Sequence, residues 1–177
     1  MSRVFVDATT LVALGQVGEL QLLDSFEGAL SVPDAVRAAV TVEPARTNLD
    51  RFLDDHEVVV GPVDTDWHAE AIQALGAAER TSDTELIEGV LATIEERRAA
   101  PSSDAPPVGL ISDDRRLRTV AEGLGATVTG TFGVVVRAAA VDRYFSASQA
   151  KRVVRRIDSH GMHLTGEMRE QAVGATE

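Results

Sequence analysis

Two short apolar runs in this chain each end in aspartate and pass directly into a helical pattern: Val4-Phe5-Val6-Asp7 and Leu110-Ile111-Ser112-Asp113. A short run without polar alternation reads as a strand buried on both faces. Residues 29–32 and 126–129 read the same way, and 57–60 as a strand or extended segment. Between these runs the apolar spacing is helical: 8–14 with Gly15 as stop, 19–26, a helix opened by Pro33 and running to about Val42, 48–54, 64–75, 82–98, 117–124 closed by Gly125, 132–141 and 147–157. Ser82 is read as an N-cap, with Glu85 three residues on completing a capping box. Strands that alternate with helices imply a parallel sheet covered on both sides. The expectation is an α/β protein: a three-layer α/β/α sandwich around a central, mostly parallel sheet of about four to five strands.

At 177 residues the chain suits one domain with its own core. Residues 1–145 are expected to form it, with 146–177 a helical extension of the same domain that frays from about Gly166. The low-complexity stretch Pro101 to Pro107 reads as an exposed loop, since too little chain follows for a second core. Aromatic residues are only 4%, so the core must be built from Ala, Val, Leu and Ile. The absence of cysteine removes thiolate metal sites, cysteine nucleophiles and disulfides from consideration. No apolar run approaches the roughly 18 residues of a membrane span, and none at the N-terminus resembles a signal peptide. A soluble cytoplasmic protein is expected. The net charge is −11, and Lys151 is the only lysine. Such acidity reads as halophile-like salt adaptation, or as a surface for a basic partner. Any basic face for nucleic acid must be local.

In open parallel sheets, ligands sit beyond the carboxyl ends of the strands. Asp7 and Asp113 both lie there, and neighbouring strands would bring them to one rim. Asp83 opens the long helix that leads towards the second of these strands. Clustered carboxylates repel one another, and a hard divalent cation relieves that repulsion. Mg²⁺ and Mn²⁺ accept oxygen ligands and assist phosphodiester hydrolysis. An acid before a helix also serves as an N-cap or as a first-turn partner of the helix dipole. For Asp7, Asp83, Glu85, Asp113 and Asp114 the residues alone leave both roles open. The acids at 54, 55, 57, 95 and 96 read as solvated surface. His56, His68, His160 and His163 show no paired metal spacing and read as structural or surface. No P-loop or nucleophile elbow is present.

Three segments together resemble the PIN-domain family, in its VapC-like, uncharacterised branch. They are VFVDATTLVALGQVGELQLLDSF, LSVPDAVRAAV and LISDDRRLRTVAEGLGATVTGTFGVVVRAA. The resemblance spans about residues 3 to 141 and rests on the order and spacing of the motifs. It implies a metal-dependent ribonuclease using Mg²⁺ or Mn²⁺, with RNA as substrate. In a VapC-type toxin it also implies a small antitoxin partner, and such domains often form homodimers. Asp7, Asp83 and Asp113 would be the catalytic metal ligands, with Asp114 and Glu85 as further ligands. Arg115, Arg116 and Arg118 would contact phosphates, or pair with the nearby acids. One position departs: the family places Glu six residues past the proline, and here that residue is Ala39. Glu43 lies four residues further, on the same face one turn on if the helix continues. Either Glu43 substitutes, or the site has one carboxylate fewer. The alternative function is a degenerate PIN-like domain that binds RNA or a protein partner without cleaving.

Overall fold

A computed structural model of the chain describes residues 3–99, 107–141, 144 and 146–161. Five strands form one sheet: β1 (Arg3–Val6), β2 (Ala29–Pro33), β3 (Val58–Gly61), β4 (Gly109–Ile111) and β5 (Thr127–Thr129). Every pairing is parallel, in the order β3-β2-β1-β4-β5. Eight α-helices are described: α1 (Ala8–Val17), α2 (Asp34–Ala39), α3 (Ala45–Asp55), α4 (His68–Leu75), α5 (Ser82–Ala99), α6 (Arg115–Leu124), α7 (Thr131–Ala140) and α8 (Ala147–Ser159). One 3₁₀ turn, Leu20–Ser25, stands where the spacing predicts a short α-helix. Helices α1, α3, α7 and α8 pack as one group, and α2, α4, α5 and α6 as the other. The fold is the expected three-layer α/β/α architecture.

Chain order explains where a site can form. From β1 the chain steps outward through β2 to β3, then returns to β4 on the other side of β1 and steps out to β5. The strand order therefore reverses between β1 and β4. At such a switch point the following helices diverge and leave a crevice at the carboxyl ends of the strands. Phe5 pairs with Leu110 and Val6 with Ile111, so the residues after the two strands emerge side by side. The Asp7 N–H donates to the Ile111 carbonyl at 2.9 Å, which carries the ladder one residue past β1.

The core is aliphatic, with Val6, Leu11, Leu14, Leu23, Leu86, Ile87, Leu110 and Ile111 essentially inaccessible. Helix α5 lies against β1 at Gly89, where a Cβ would sit 2.5 Å from the Phe5 ring. The ring is buried and belongs to the central strand of the sheet. Gly89→Ala is therefore expected to destabilise the protein by about 1–3 kcal/mol, although alanine favours helix. Gly123→Ala serves as the opposite case. Gly123 is an exposed residue of α6 with nothing within 4 Å of its would-be Cβ. That substitution is expected to stabilise by about 0.5–1 kcal/mol. Urea unfolding of the two variants checks both signs, and two shifts of the same sign would contradict this packing.

Three local expectations are corrected. Helix α2 stops at Ala39 and does not reach Val42, because Val40 turns extended and buries its side chain. Helix α4 begins at His68 and not at Asp64; the preceding loop is held by Glu88, which accepts from Thr65 N and Oγ1 at 3.0 and 2.9 Å. The reciprocal cap of α5 is one residue earlier than predicted. Thr81 N donates to Thr84 Oγ1 at 2.7 Å, and Thr84 N to Thr81 Oγ1 at 3.3 Å. The expected loop at 101–106 and the tail from Gly166 lie outside the described residues. Among the described residues no helix is long and apolar enough to cross a membrane.

Candidate metal centre

Asp7 is 3% exposed, a degree of burial that an ionised carboxylate sustains only with partners. It occupies the N-cap position of α1 but makes no side-chain cap hydrogen bond. Its Oδ2 instead accepts from Thr9 Oγ1 at 2.7 Å and from Ser112 Oγ at 2.8 Å. Among the described residues Oδ1 has no hydrogen bond. Ser112 is fully buried at the end of β4, and its Oγ also accepts from Asp114 N at 3.0 Å. One hydroxyl thus ties the carboxylate that follows β1 to the backbone that follows β4.

Asp83 reaches the same crevice from the start of α5. Burial, and behind it the charges of Asp7 and then Asp114, hold the Asp83 carboxyl above the ordinary carboxylate range. A hydrogen bond from Ser82 and the Arg116 guanidinium pull the other way. The charges of Asp7 and Asp114 both act on Asp83, so the three stand around one crevice.

Asp113 and Asp114 separate in direction. The Asp113 carboxylate turns to α7, where Oδ1 accepts from Thr131 N at 3.0 Å and Oδ2 from the Thr131 hydroxyl. Gly130 makes this possible, since a Cβ there would lie 2.6 Å from Asp113 Oδ1. Asp114 caps α6 through Oδ1, which accepts from Leu117 N at 2.9 Å, and its charge acts on Asp83. Of the two, Asp114 is the one that loads Asp83.

The remaining candidates are disposed differently. Glu43 sits beyond the end of α2, so no continuing helix carries it to the face of Ala39. Its Oε2 accepts from Thr47 N and Oγ1 at 3.2 and 2.8 Å, on the first turn of α3. Ala39 itself is exposed. Glu85 pairs with Arg80 at 3.1 Å. Arg116 donates to the Leu75 carbonyl at the end of α4, which fixes its guanidinium beside Asp83. Arg115 and Arg118 make no ion pair or side-chain hydrogen bond among the described residues. His56 pairs with Asp24 at 2.8 Å, and His68 lies 3.7 Å from Glu88. Reading by residue type overlooked Ser112, Thr9 and Thr131, which hold the acids in place. It also overlooked Glu88, a fully buried acid on the inner face of α5. The only available signal for Ser112 was a hydroxyl residue directly before paired acids.

The donor set fits a hard, water-rich cation. It offers carboxylates and hydroxyls and no sulfur. Among the described residues no three acidic or histidine side chains lie close enough to enclose an ion by themselves. Mg²⁺ suits such a site, because it keeps several waters and binds through one or two carboxylates. A family model described as a PIN domain matches residues 3–177. No curated protein and no solved structure matches the chain.

Proposed function

Because the chain belongs to the PIN-domain family, a nuclease-type fold, we propose that it is a ribonuclease dependent on Mg²⁺ or Mn²⁺. The observation that carries this reading is the β1/β4 switch point, where the buried Asp7 is held by Ser112 from beyond β4 and Asp83 lies within reach of the charges of Asp7 and Asp114. Asp7 is buried and Asp83 half-buried; a protein keeps such acids near further negative charge at a cost in stability, and such groups mark functional sites.

Asp7, Asp83 and Asp114 would hold the ion in part through its own waters, since no three described acids enclose a cation directly. When bound, the metal supplies Lewis acidity and water activation for phosphodiester hydrolysis. The chain's own groups do the rest. Ser112 and Thr9 hold Asp7 Oδ2, which aims the other oxygen and fixes the carboxylate's rotamer. Arg116, anchored on α4, balances part of the charge on Asp83. Arg115 and Arg118 stand at the start of α6, where they can take backbone phosphates and set the register of the strand. Asp113 holds the first turn of α7 and supports the site from outside the ligand group; Glu43 and Glu85 are engaged elsewhere.

Ala39 favours a second reading. With no carboxylate at that position and Glu43 turned to α3, the chain would bind RNA or a protein without cleaving it. One experiment separates the two. Purified protein is incubated with single-stranded RNA in Mn²⁺, in excess chelator, and in chelator followed by restored Mn²⁺. The ribonuclease reading expects cleavage, its loss, and its return. No cleavage in any condition, with no rise in melting temperature on adding Mn²⁺, establishes the binding-only reading. A VapC-type toxin role adds a small antitoxin, which co-purification with the product of an adjacent gene would reveal. A homodimer, also in keeping with the family, is read from the mass in solution.

A further inference from the structure

Basic residues are outnumbered in this chain, 17 against 28 acids, and they are spread unevenly. Helix α8 carries Lys151, Arg152, Arg155 and Arg156 and a single acid, Asp158, near its end. Its buried residues are Ala150, Val153 and Ile157, and it packs on α1 and α7. Arg152, Arg155 and Arg156 are exposed. Residues three and four apart share a helix face, so these three arginines lie together on the outer side of α8. A surface helix needs a polar outer face, and a cation near its C-terminus suits the helix dipole. Neither need accounts for four cations within six residues of so acidic a chain. Helix α3, by contrast, ends in the exposed acids Asp54 and Asp55.

The helix is held firmly at both ends. Ser146 and Gln149 close a capping box at its start, with Ser146 N donating to Gln149 Oε1 at 2.8 Å and Gln149 N to Ser146 Oγ at 3.3 Å. Near its end, Arg156 Nη2 donates to the Val17 carbonyl at 2.8 Å, and Nη1 lies 3.9 Å from Glu19. Val17 is the last residue of α1, and α1 begins directly after Asp7. Ten helical residues span about 15 Å, so the basic face is anchored about that far along α1 from the acid crevice.

Resting on the ribonuclease reading for its ligand, we propose that the outer face of α8 is a second contact for the RNA strand, separate from the acid crevice, and that it holds backbone phosphates. Guanidinium groups match the geometry of phosphate and bind it by charge-assisted hydrogen bonds. Such contacts fix the position of a strand without reading its sequence. The charge of the whole chain strengthens the argument. At −11 it repels a polyanion at long range, so attraction must come from a place where cations are concentrated. On α8 they are concentrated on a rigid support. Because α8 stands well away from the crevice, only a strand that extends beyond the cleaved position gains from it.

The test is the salt dependence of RNA binding to the full chain, read by anisotropy of a labelled single strand in chelator so that nothing is cleaved. The variant carries Arg152→Gln and Arg155→Gln together; both positions are exposed, so its melting temperature should match that of the wild type. Each phosphate contact to a single strand contributes about 0.7 to the slope of log affinity against log salt, so the double variant should lose about 1.4. On dilution from about 200 to 50 mM salt, the wild type should then gain roughly 7-fold more affinity than the variant. A trinucleotide, too short to reach from the crevice to α8, should bind both alike. Arg46→Gln with Arg51→Gln, at exposed positions on α3, makes the same change in net charge and should leave the slope unchanged. Equal slopes in wild type and the α8 variant, or an equal fall in the α3 variant, overturns the α8 contact. Self-association in dilute salt that the α8 variant abolishes, with RNA affinity unchanged, overturns it in favour of a second copy of the chain. Metal-dependent cleavage by the wild type would still leave the ribonuclease reading in place after either result. A shallower slope in the α8 variant, with no cleavage by the wild type under any condition, keeps the α8 contact and removes the nuclease. A wild type that neither binds nor cleaves RNA removes both.

Discussion

Asp7→Asn is expected to lower Mn²⁺-supported RNA cleavage by at least ~10²-fold while leaving the fold in place. Metal assistance stabilises a transition state by several kcal/mol, and each ~1.4 kcal/mol is a factor of ten in rate. Asparagine preserves the shape of the side chain and an oxygen that can still accept from Ser112 and Thr9. What it removes is the charge, and with it the strongest reason for a cation to settle at the switch point. Asp113→Asn is the informative companion. The Asp113 carboxylate is occupied by Thr131, so its replacement should lower the melting temperature and leave most of the cleavage rate. Initial rates at saturating Mn²⁺, with melting curves of the same preparations, give both outcomes. Equal activity in wild type and Asp7→Asn would mean another site or a contaminating nuclease. A larger loss of rate for Asp113→Asn than for Asp7→Asn would reverse the assignment of the two acids.

Asp83→Asn should do the opposite to stability without metal. The Asp83 carboxyl titrates above its ordinary range in the folded protein, because it is partly buried and faces Asp7 and Asp114. Folding therefore favours the protonated form. That favourable contribution is complete below the unfolded-state value and is lost as pH rises through the raised folded value. At neutral pH the ionised Asp83 destabilises the metal-free protein. Asp83→Asn removes this penalty, so it should melt higher than wild type at neutral pH, with the difference shrinking in acid. Mn²⁺ reverses the ranking. At a concentration 100 times its dissociation constant, a ligand specific to the folded state adds about 2.7 kcal/mol. In a domain of this size that corresponds to a rise of about 5–10 °C. The rise is expected in wild type and largely absent in Asp83→Asn. If Asp83→Asn melts lower than wild type in chelator, the acids do not strain one another and the metal site loses its electrostatic basis.

Both predictions concern acids that are visible in the sequence, but their roles are visible to different degrees. Asp7 follows three apolar residues and precedes a helix, and that local pattern places it at the carboxyl end of a strand. Its alternative as a helix cap is a question of where one carboxylate points. Only the hydrogen bonds from Thr9 and Ser112 decide that. Asp113 and Asp114 are harder still. They are neighbours in the chain at the point where β4 ends and α6 begins. There a single residue's change of backbone direction sends one side chain to α7 and the other to the start of α6, where its charge acts on Asp83. The same applies to Glu43, whose expected position depended on a helix that Val40 ends by turning into the core.

Apolar periodicity is a local property. It sufficed for the alternation of strands and helices, for the parallel sheet, and for the placing of acids at strand ends. The order of strands in that sheet is not local. It made β1 and β4 neighbours and so set Asp7 and Asp114 at one crevice, where both charges act on Asp83. Ser112 and Thr131 matter because of partners that are distant in the chain. Short-range spacing carries no record of such contacts, and packing of the whole chain creates them.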